Sequence, residues 1–322
     1  MKDEKDRTEE SSAQNQESRV KALDFGHWTL DCLFIRGTTA VYGVIGDPIE
    51  HTLSPLMHNR ALAEIGLDAV YVPFRVKPDN LENAVKAIKA LGIRGMNVTV
   101  PHKTRIIEYL DCITVEARAV GAVNTVINTG GLLEGDNTDV YGFTNCILKD
   151  GGLERFPERI CILGAGGAAR AVVYACAVRE EVREIAILNR TLSKAEKLAD
   201  DFRRITGKPI SAYPADGETR KRILPRMDMI VNTTSVGMYP HSGISPVIES
   251  DDVFHPGQVV CDIIYTPART KLLEDAIRRG AKAIGGMAML AFQGARSLTL
   301  WTGREAPVQV MIEALKAAQK TV

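Results

Sequence analysis

The sequence has no excess of charge of either sign. Forty lysine and arginine residues offset forty aspartate and glutamate residues among 322, so the formal net charge is zero. Proteins that bind duplex nucleic acid usually present a marked basic excess on one face. The balance gives no electrostatic reason to expect nucleic acid as a partner.

Long apolar segments are also missing. No apolar run approaches the ~18 residues that a membrane-spanning helix needs. The N-terminus does not show the charged, apolar and small-residue order of a signal peptide. We therefore expect a cytoplasmic protein with no membrane partner.

Cysteine and histidine patterns typical of metal sites are absent. The six cysteines lie far apart without a Cys-x-x-Cys pair, which excludes a disulfide-stapled small domain. Several fall in apolar strand or helix patterns, which predicts buried, reduced thiols. His51 and His58 are seven residues apart, but no third ligand stands beside them, so we expect no metal site.

The chain is long enough for about two domains, and 45% of it is hydrophobic. Residues 1–20 are charged and polar with almost nothing to bury, so their composition predicts a disordered tail. From residue 39, short β-rich runs alternate with amphipathic helical runs, an order typical of parallel sheets covered by helices. Two final helices, about 287–301 and 308–320, have no strand after them and could pack back on the first half. We predict an α/β fold.

A glycine-rich loop follows the predicted strand 159–163. Residues 164–169, Gly164, Ala165, Gly166, Gly167, Ala168 and Ala169, match G-x-G-x-x-A and open a helix. Backbone N–H groups there can approach a pyrophosphate at the positive end of the helix. A tight strand-to-helix turn is the alternative, but the strand, loop, helix and next strand together favour dinucleotide binding.

The residues after the next strand indicate which dinucleotide. An NAD site usually places a carboxylate there to bond the ribose 2′-hydroxyl. This chain has Asn189, Arg190 and Thr191, followed by Ser193 and Lys194. Two cations and two hydroxyls suit a 2′-phosphate, which favours NADP over NAD. Thr191 as a helix cap beside a solvated Arg190 is the alternative, and capping is compatible with phosphate binding.

Reduction of a carbonyl by a nicotinamide cofactor needs a proton donor beside the carbonyl oxygen. Polar candidates cluster at strand ends of the first half: Thr52, Ser54, Asn97, Thr99, Lys103, Asn124 and Asp139. Four of them have a plainer alternative. Ser54 before Pro55 is a typical helix cap, Lys103 a surface lysine, Asn124 a turn residue, and Asp139 part of a helix start.

Taken together, these stretches resemble the shikimate dehydrogenase family over residues 39–315. The matching motifs are, in chain order, Gly46-Asp47-Pro48, Ser54-Pro55, Asn97-Val98-Thr99-Val100-Pro101 with Lys103, Gly121-Ala122-Val123-Asn124-Thr125, Asn137-Thr138-Asp139, Gly164-Ala165-Gly166-Gly167-Ala168, Asn189-Arg190-Thr191, and Met289-Leu290 with Gln293-Gly294-Ala295. The resemblance implies reversible, NADPH-dependent reduction of 3-dehydroshikimate to shikimate, in the pathway to chorismate and the aromatic amino acids.

The resemblance also implies residue roles. Lys103 and Asp139 would form the catalytic pair, and Thr52 and Ser54 would hold the substrate carboxylate. The substrate ring oxygens would contact Thr99, Asn124, Asp139 and Gln293, with Tyr265 close by. The cofactor would be lined by Gly164 to Ala168, Asn189, Arg190, Thr191, Lys194, Ile263 and Gly286.

From these observations we expect two α/β domains with the site in the cleft between them. Residues 39–138 with 286–322 would form the substrate domain, 139–285 a Rossmann-like NADP domain, and 1–38 a disordered tail and lead-in. A carboxylate at Asp139 favours the charged form of the Lys103 ammonium, which suits a proton donor. In the oxidative direction Lys103 must first lose a proton, so that reaction should become faster as pH rises. We expect a monomer or homodimer.

Two departures from the family pattern keep alternatives open. Thr52 stands where serine is usual and adds a methyl group at the carboxylate end, and Lys194 replaces an arginine and loses its bidentate fork. A quinate or dual quinate/shikimate dehydrogenase with relaxed NAD and NADP use therefore remains an alternative. A non-catalytic NADP-binding sensor is a second, although mere binding needs no proton donor.

Overall fold

The computed structural model describes residues 35–248 and 253–319. The predicted tail at residues 1–20 and Cys32 lie outside the described residues. Residues from Thr39 onward belong to one compact unit, which contains two six-stranded sheets. Within the described part of the chain, no helix is long and apolar enough to cross a membrane.

The first sheet is mixed. Its strands are β1 (Ala40–Gly46), β2 (Ala69–Arg75), β3 (Gly95–Val98), β4 (Cys112–Ile113), β5 (Thr125–Thr129) and β6 (Leu132–Asp136), in the order β2-β1-β3-β5-β6-β4. β5 runs antiparallel to β3 and β6, so the prediction of parallel sheets is wrong here. Gly130 and Gly131 have φ of 62° and 96° and form a two-residue turn between β5 and β6, which only a hairpin allows.

The second sheet is parallel throughout. Its strands are β7 (Arg159–Leu163), β8 (Glu184–Asn189), β9 (Ile210–Pro214), β10 (Met229–Asn232), β11 (Val259–Asp262) and β12 (Lys282–Gly285), in the order β12-β11-β10-β7-β8-β9. The chain order reverses between β7 and β10. Ligands of open α/β sheets bind at the carboxyl ends of strands at such a point. The glycine loop at Gly164 directly follows β7, so the fold places it there.

Ten α-helices are described. They are α1 (Ser54–Glu64), α2 (Leu81–Ala90), α3 (Val115–Val120), α4 (Asp139–Asn145), α5 (Gly167–Ala177), α6 (Leu192–Thr206), α7 (Gly217–Ile223), α8 (Lys271–Arg278), α9 (Met287–Thr302) and α10 (Val308–Gln319). Pro78 and Asp79 form a separate 3-10 turn before α2 rather than its first turn. The long amphipathic helices appear where the pattern predicts them, and α4 begins at Asp139, where a helix start was expected. Helices α3, α7 and α8 were not predicted.

Helix α9 belongs to the cores of both sheets. Its first turns pack Ala288, Met289 and Phe292 into the core of the second sheet. Its later turns pack with β1, α1, β2 and α10 in the core of the first sheet, through Ala291, Ala295 and Leu298. Gln293 therefore lies between the two sheets.

Four predicted thiols, Cys146, Cys161, Cys176 and Cys261, are free and buried, but Cys112 is exposed.

Candidate active site

Lys103 and Asp139 form an ion pair shielded from solvent. Lys103 follows β3, and Asp139 is the first residue of α4. The Lys103 Nζ donates to Asp139 Oδ2 at 2.6 Å, and the two side chains are 14% and 6% exposed. Removal from water strengthens this attraction and holds the ammonium at one place. The structure thus brings together the two residues that the resemblance implies as the catalytic pair.

Asn124 fixes the other oxygen of that carboxylate. Its Nδ2 donates to Asp139 Oδ1 at 2.8 Å, and its Oδ1 accepts from the Thr138 backbone N–H at 2.7 Å. Because a backbone N–H can only donate, the Asn124 amide has one orientation. Gln293 Oε1 lies 3.2 Å from Asn124 Nδ2. Four of the candidate residues therefore form one continuous polar cluster.

A buried hydroxyl cluster lies behind Asn124. Ser297 Oγ is 3.0 Å from Asn97 Nδ2, 2.8 Å from Thr125 Oγ1 and 3.0 Å from Thr138 Oγ1. No role for Thr125 or Ser297 was predicted. The available signal was spacing: Ser297 is one helical turn after Gln293, so both project from the same face of α9.

Thr52 and Ser54 lie together at the start of α1. Leu53 occupies the N-cap position and Ser54 is the first helical residue, so the alternative that Ser54 simply caps the helix is wrong. The Ser54 N–H donates to Thr52 Oγ1 at 3.3 Å. Tyr265 joins this group: burial raises the pKa of Tyr265, and its hydrogen bond with Thr52 opposes that rise. Thr99, also expected near the substrate, is half-buried just after β3.

Tyr71 and His58 form the buried floor beneath Ser54. The Tyr71 hydroxyl donates to Asn97 Oδ1 at 2.7 Å, and its ring stacks on His58 at 4.1 Å. His58 Nδ1 donates to the Ser54 carbonyl at 2.9 Å, and Nε2 has no partner among the described residues. Burial lowers the pKa of His58 to about 4, so the ring is neutral at physiological pH. Neither residue was predicted to lie at the site.

The glycine loop fits a dinucleotide. Gly164 has φ of 113°, which favours glycine, and Gly166 at the N-cap of α5 has no side chain to cover the first N–H groups. A Cβ on Gly166 would point into open space. That space is a cavity of about 760 Å³ lined by Val100, Pro101, Lys103, Thr104, Gly121, Ala165, Gly166, Gly167, Arg170, Lys194, Lys197, Leu198 and Asp201. The candidate proton donor and the dinucleotide loop share this cavity.

The residues after β8 provide cations at one end of the cavity. Lys194 lines it, whereas Arg190 is exposed and is not part of the lining. Thr191 is the N-cap of α6, yet its side chain makes no capping bond within the described chain, so the capping alternative is not what the structure shows. Asn189 Nδ2 donates to the Thr191 carbonyl at 2.8 Å. Lys197 and Arg170 are further cations in the cavity wall that were not predicted.

Ile263 and Gly286, both expected at the cofactor, meet at the carboxyl ends of β11 and β12. A Cβ on Gly286 would overlap the Ile263 carbonyl, so only glycine fits there. Asp262 lies beside them. Burial raises the pKa of Asp262 to about 6, and hydrogen bonds from Thr270, the Ile264 N–H and Asn232 oppose this effect.

Family models cover most of this architecture. The shikimate dehydrogenase substrate binding domain matches residues 44–126, the model described as shikimate / quinate 5-dehydrogenase matches 153–239, and the shikimate 5′-dehydrogenase C-terminal domain matches 286–316. The NADP(+) shikimate dehydrogenase of Methanopyrus kandleri is 45% identical over 277 residues, which are 86% of this chain and 95% of that protein.

Solved structures of shikimate dehydrogenases are similar to this chain in sequence and in fold. A crystal structure of a shikimate dehydrogenase in complex with NADP+ is 39% identical with a TM-score of 0.80, covering 88% of this chain and 97% of the other. The Listeria monocytogenes shikimate 5-dehydrogenase, in complex with shikimate and NAD, is 37% identical with a TM-score of 0.78, covering 88% and 98%. The predicted α/β fold and family are both confirmed, and the chain belongs to the shikimate dehydrogenase family.

Proposed function

We propose that this protein catalyses the reversible, NADP-dependent interconversion of 3-dehydroshikimate and shikimate. The observation that carries the proposal is the shielded ion pair of Lys103 and Asp139, 2.6 Å apart, whose lysine lines the cavity beside the dinucleotide loop. Relatives named as NADP(+) shikimate dehydrogenases support the substrate and the cofactor. A sensor that only binds NADP would not require this pair.

Each candidate residue has a task in that reaction. Bound NADPH supplies a hydride to the ketone carbon of the substrate. Lys103 donates a proton to the ketone oxygen, and Asp139 holds the ammonium in place through its Oδ2. Asn124 fixes Oδ1 of the same carboxylate, so the carboxylate does not rotate away. In the oxidative direction, Lys103 accepts the proton of the shikimate hydroxyl.

The substrate carboxylate would bind at the start of α1. Thr52 and Ser54 offer hydroxyls there, and Tyr265 approaches from the other sheet through its bond with Thr52. The ring hydroxyls would then meet Thr99, Asn124 and Gln293. We propose residues 39–138 with 286–322 as the substrate domain and 139–285 as the NADP domain, which corresponds to one sheet in each.

The test is the initial rate with shikimate and quinate, each paired with NADP and with NAD. We expect a rate confined largely to shikimate with NADP. Comparable rates with quinate or NAD would indicate a dual-specificity enzyme. Absence of activity in all four assays, together with measurable NADP binding, would indicate the sensor.

Thr52→Ser keeps the hydroxyl and removes the methyl group. A rise in the rate with quinate relative to shikimate would show that this methyl group sets the choice between the two substrates.

The cofactor preference has its own test. If Arg190 bonds the 2′-phosphate, Arg190→Gln should lower kcat/KM for NADP by about ten-fold or more, because charge-assisted hydrogen bonds of this kind contribute about 1.5–3 kcal/mol. The value for NAD should not change. Arg183→Gln, at the opposite end of β8, is the matched control. Equal losses for both cofactors would argue against a 2′-phosphate contact.

A further inference from the structure

Arg170 links α5, the helix that follows the dinucleotide loop, to the turn that precedes Asn124. It lies in the second turn of α5, and its guanidinium is largely buried. Its Nε donates to the Val120 carbonyl at 2.5 Å, and its Nη1 donates to Asp201 on α6 at 3.0 Å. The guanidinium also lies over the Phe202 ring at 5.4 Å. Its donors are thus directed at protein groups on both sides.

The turn that Arg170 holds ends α3 at Gly121. Gly121 has φ of 66°, and a Cβ there would lie 2.6 Å from Arg170 Nη2. Two residues later, the Val123 N–H donates to the Lys103 carbonyl at 2.7 Å. The next residue is Asn124, which holds Asp139. One short segment therefore connects the Arg170 contact to the backbone of Lys103 and to Asn124.

Lys103 touches the cofactor helix directly as well. A Cβ on Gly167, the first residue of α5, would lie 3.1 Å from the Lys103 Cβ and 3.4 Å from its Cδ. The lysine stem therefore lies between its own segment and the first turn of α5. Any shift of that segment relative to α5 would move the ammonium relative to the dinucleotide loop.

We propose that Arg170 is a positioning residue for the reaction. By bonding the Val120 carbonyl from α5, it sets the distance between the segment carrying Lys103 and Asn124 and the loop that binds the dinucleotide. This inference rests on the proposed function. Because Arg170 also lines the cavity, a direct phosphate contact is the competing role. The two roles differ in their effects: positioning changes kcat, whereas a phosphate contact changes NADP affinity.

The experiment compares Arg170→Gln with Arg204→Gln in the full-length protein. Arg204 also pairs with Asp201 but is exposed and does not contact the turn, so it is the matched control. For Arg170→Gln we expect kcat to fall by about ten-fold or more, as misplacement of reacting groups does, with the Kd for NADP within about two-fold of wild type. The deuterium isotope effect with NADPH labelled at the transferred position should increase. Arg204→Gln should match wild type.

Three results decide against the proposal. Wild-type kcat in Arg170→Gln overturns it, and a raised NADP Kd with unchanged kcat assigns Arg170 to the cofactor instead. If Arg170→Gln does not fold, Arg170→Met decides, since methionine can still cover the Phe202 ring but has no donor for the Val120 carbonyl; wild-type kcat there overturns positioning. Absence of shikimate oxidation in both wild type and Arg204→Gln would refute the proposed function itself, independently of Arg170.

Discussion

Lys103 is held by contacts at both ends of its side chain. Asp139 binds the ammonium, Gly167 packs against the stem, and the Val123 N–H bonds the backbone carbonyl. A buried ion pair adds little net stability, because desolvation offsets its attraction. Its contribution here is geometric: the charge stays at one place, beside the dinucleotide loop.

Lys103→Ala should lower kcat by about 10²–10⁴-fold, the usual contribution of a general acid, with a smaller effect on KM. Steady-state rates of shikimate oxidation measure this effect. Lys77→Ala, an exposed lysine in the loop after β2, should keep the wild-type rate. Near-normal turnover in Lys103→Ala would remove the lysine from the mechanism.

His58 should make the protein less stable in mild acid. Burial lowers the pKa of His58 to about 4, against 6.5 for an exposed histidine. Between these values the unfolded chain binds a proton that the folded chain does not, so the free energy of unfolding falls as pH falls. The loss from pH 6.5 to 4 is about 3 kcal/mol, from the size of the pKa difference.

Urea unfolding of wild type and His58→Phe across this pH range measures that loss. Phenylalanine can still stack on Tyr71 but does not titrate, so the variant should lose less stability in acid than wild type. His241→Gln, an exposed histidine, should follow wild type. Parallel curves for wild type and His58→Phe would contradict a neutral, buried His58.

At the scale of elements, the last turn of α9 packs on the first sheet through the side chain of Trp301. Trp301 stacks on Tyr42 at 5.2 Å, and its Nε1 donates to the Val126 carbonyl at 3.0 Å. A Cβ on Gly95 would overlap the indole ring. Glycine at the first position of β3 thus allows α9, which carries Gln293 and Ser297, to approach the sheet.

Gly95→Ala should therefore destabilise the protein by about 1–3 kcal/mol, the usual effect of overpacking a core. The thermal midpoint and the Trp301 fluorescence should both change, because the indole must move. Gly243→Ala, where a Cβ meets open space, is the control with no expected change. An unchanged midpoint in Gly95→Ala would show that α9 shifts freely at this contact.

Elements also show where sequence patterns mislead. The long helices α1, α5, α6, α9 and α10 form where the apolar pattern predicts them, because each has apolar residues to bury in a core. Helices α1 and α10 pack with α9 in the core of the first sheet, and α9 also packs in the core of the second. The sequence does contain a signal for the β5–β6 hairpin, because Gly130-Gly131 stands between two β-rich runs. The expectation that strands alternate with helices left no place for a hairpin there. Short α3 and α4 have too few residues to show an apolar period. The signals for α3 lie at its ends, where the Thr114 side chain caps the first turn and Gly121 ends the helix in the left-handed region.

At the scale of the whole molecule, every candidate site residue lies in the compact unit that starts at Thr39. We therefore expect removal of residues 1–20 to leave kcat, KM and the thermal midpoint unchanged. Assay of the truncated protein beside the full chain tests this. A large loss of activity would mean that the charged tail docks on the enzyme. A cytoplasmic location and a monomeric or dimeric state stay predictions.

The sequence by itself determined the α/β class, the family and the identities of the candidate residues. These follow from local patterns: a glycine loop after a strand, hydroxyls before a helix, and motifs in a fixed order. The tertiary structure alone decided which residues meet. Lys103 and Asp139 are separated by 36 residues, and Asn97 and Ser297 by 200, and no local rule relates them.

Only the tertiary structure could reveal the buried hydroxyl cluster and the contact of Arg170 with the Val120 carbonyl. Thr125 and Ser297 are common polar residues whose sequence gives no sign of these contacts, and Arg170 is one of many arginines. Their roles depend on burial, where each polar group must find a partner, and on the packing of α3, α5 and α9 that provides those partners. Long-range packing sets these partnerships, which is why the sequence pattern could not predict them.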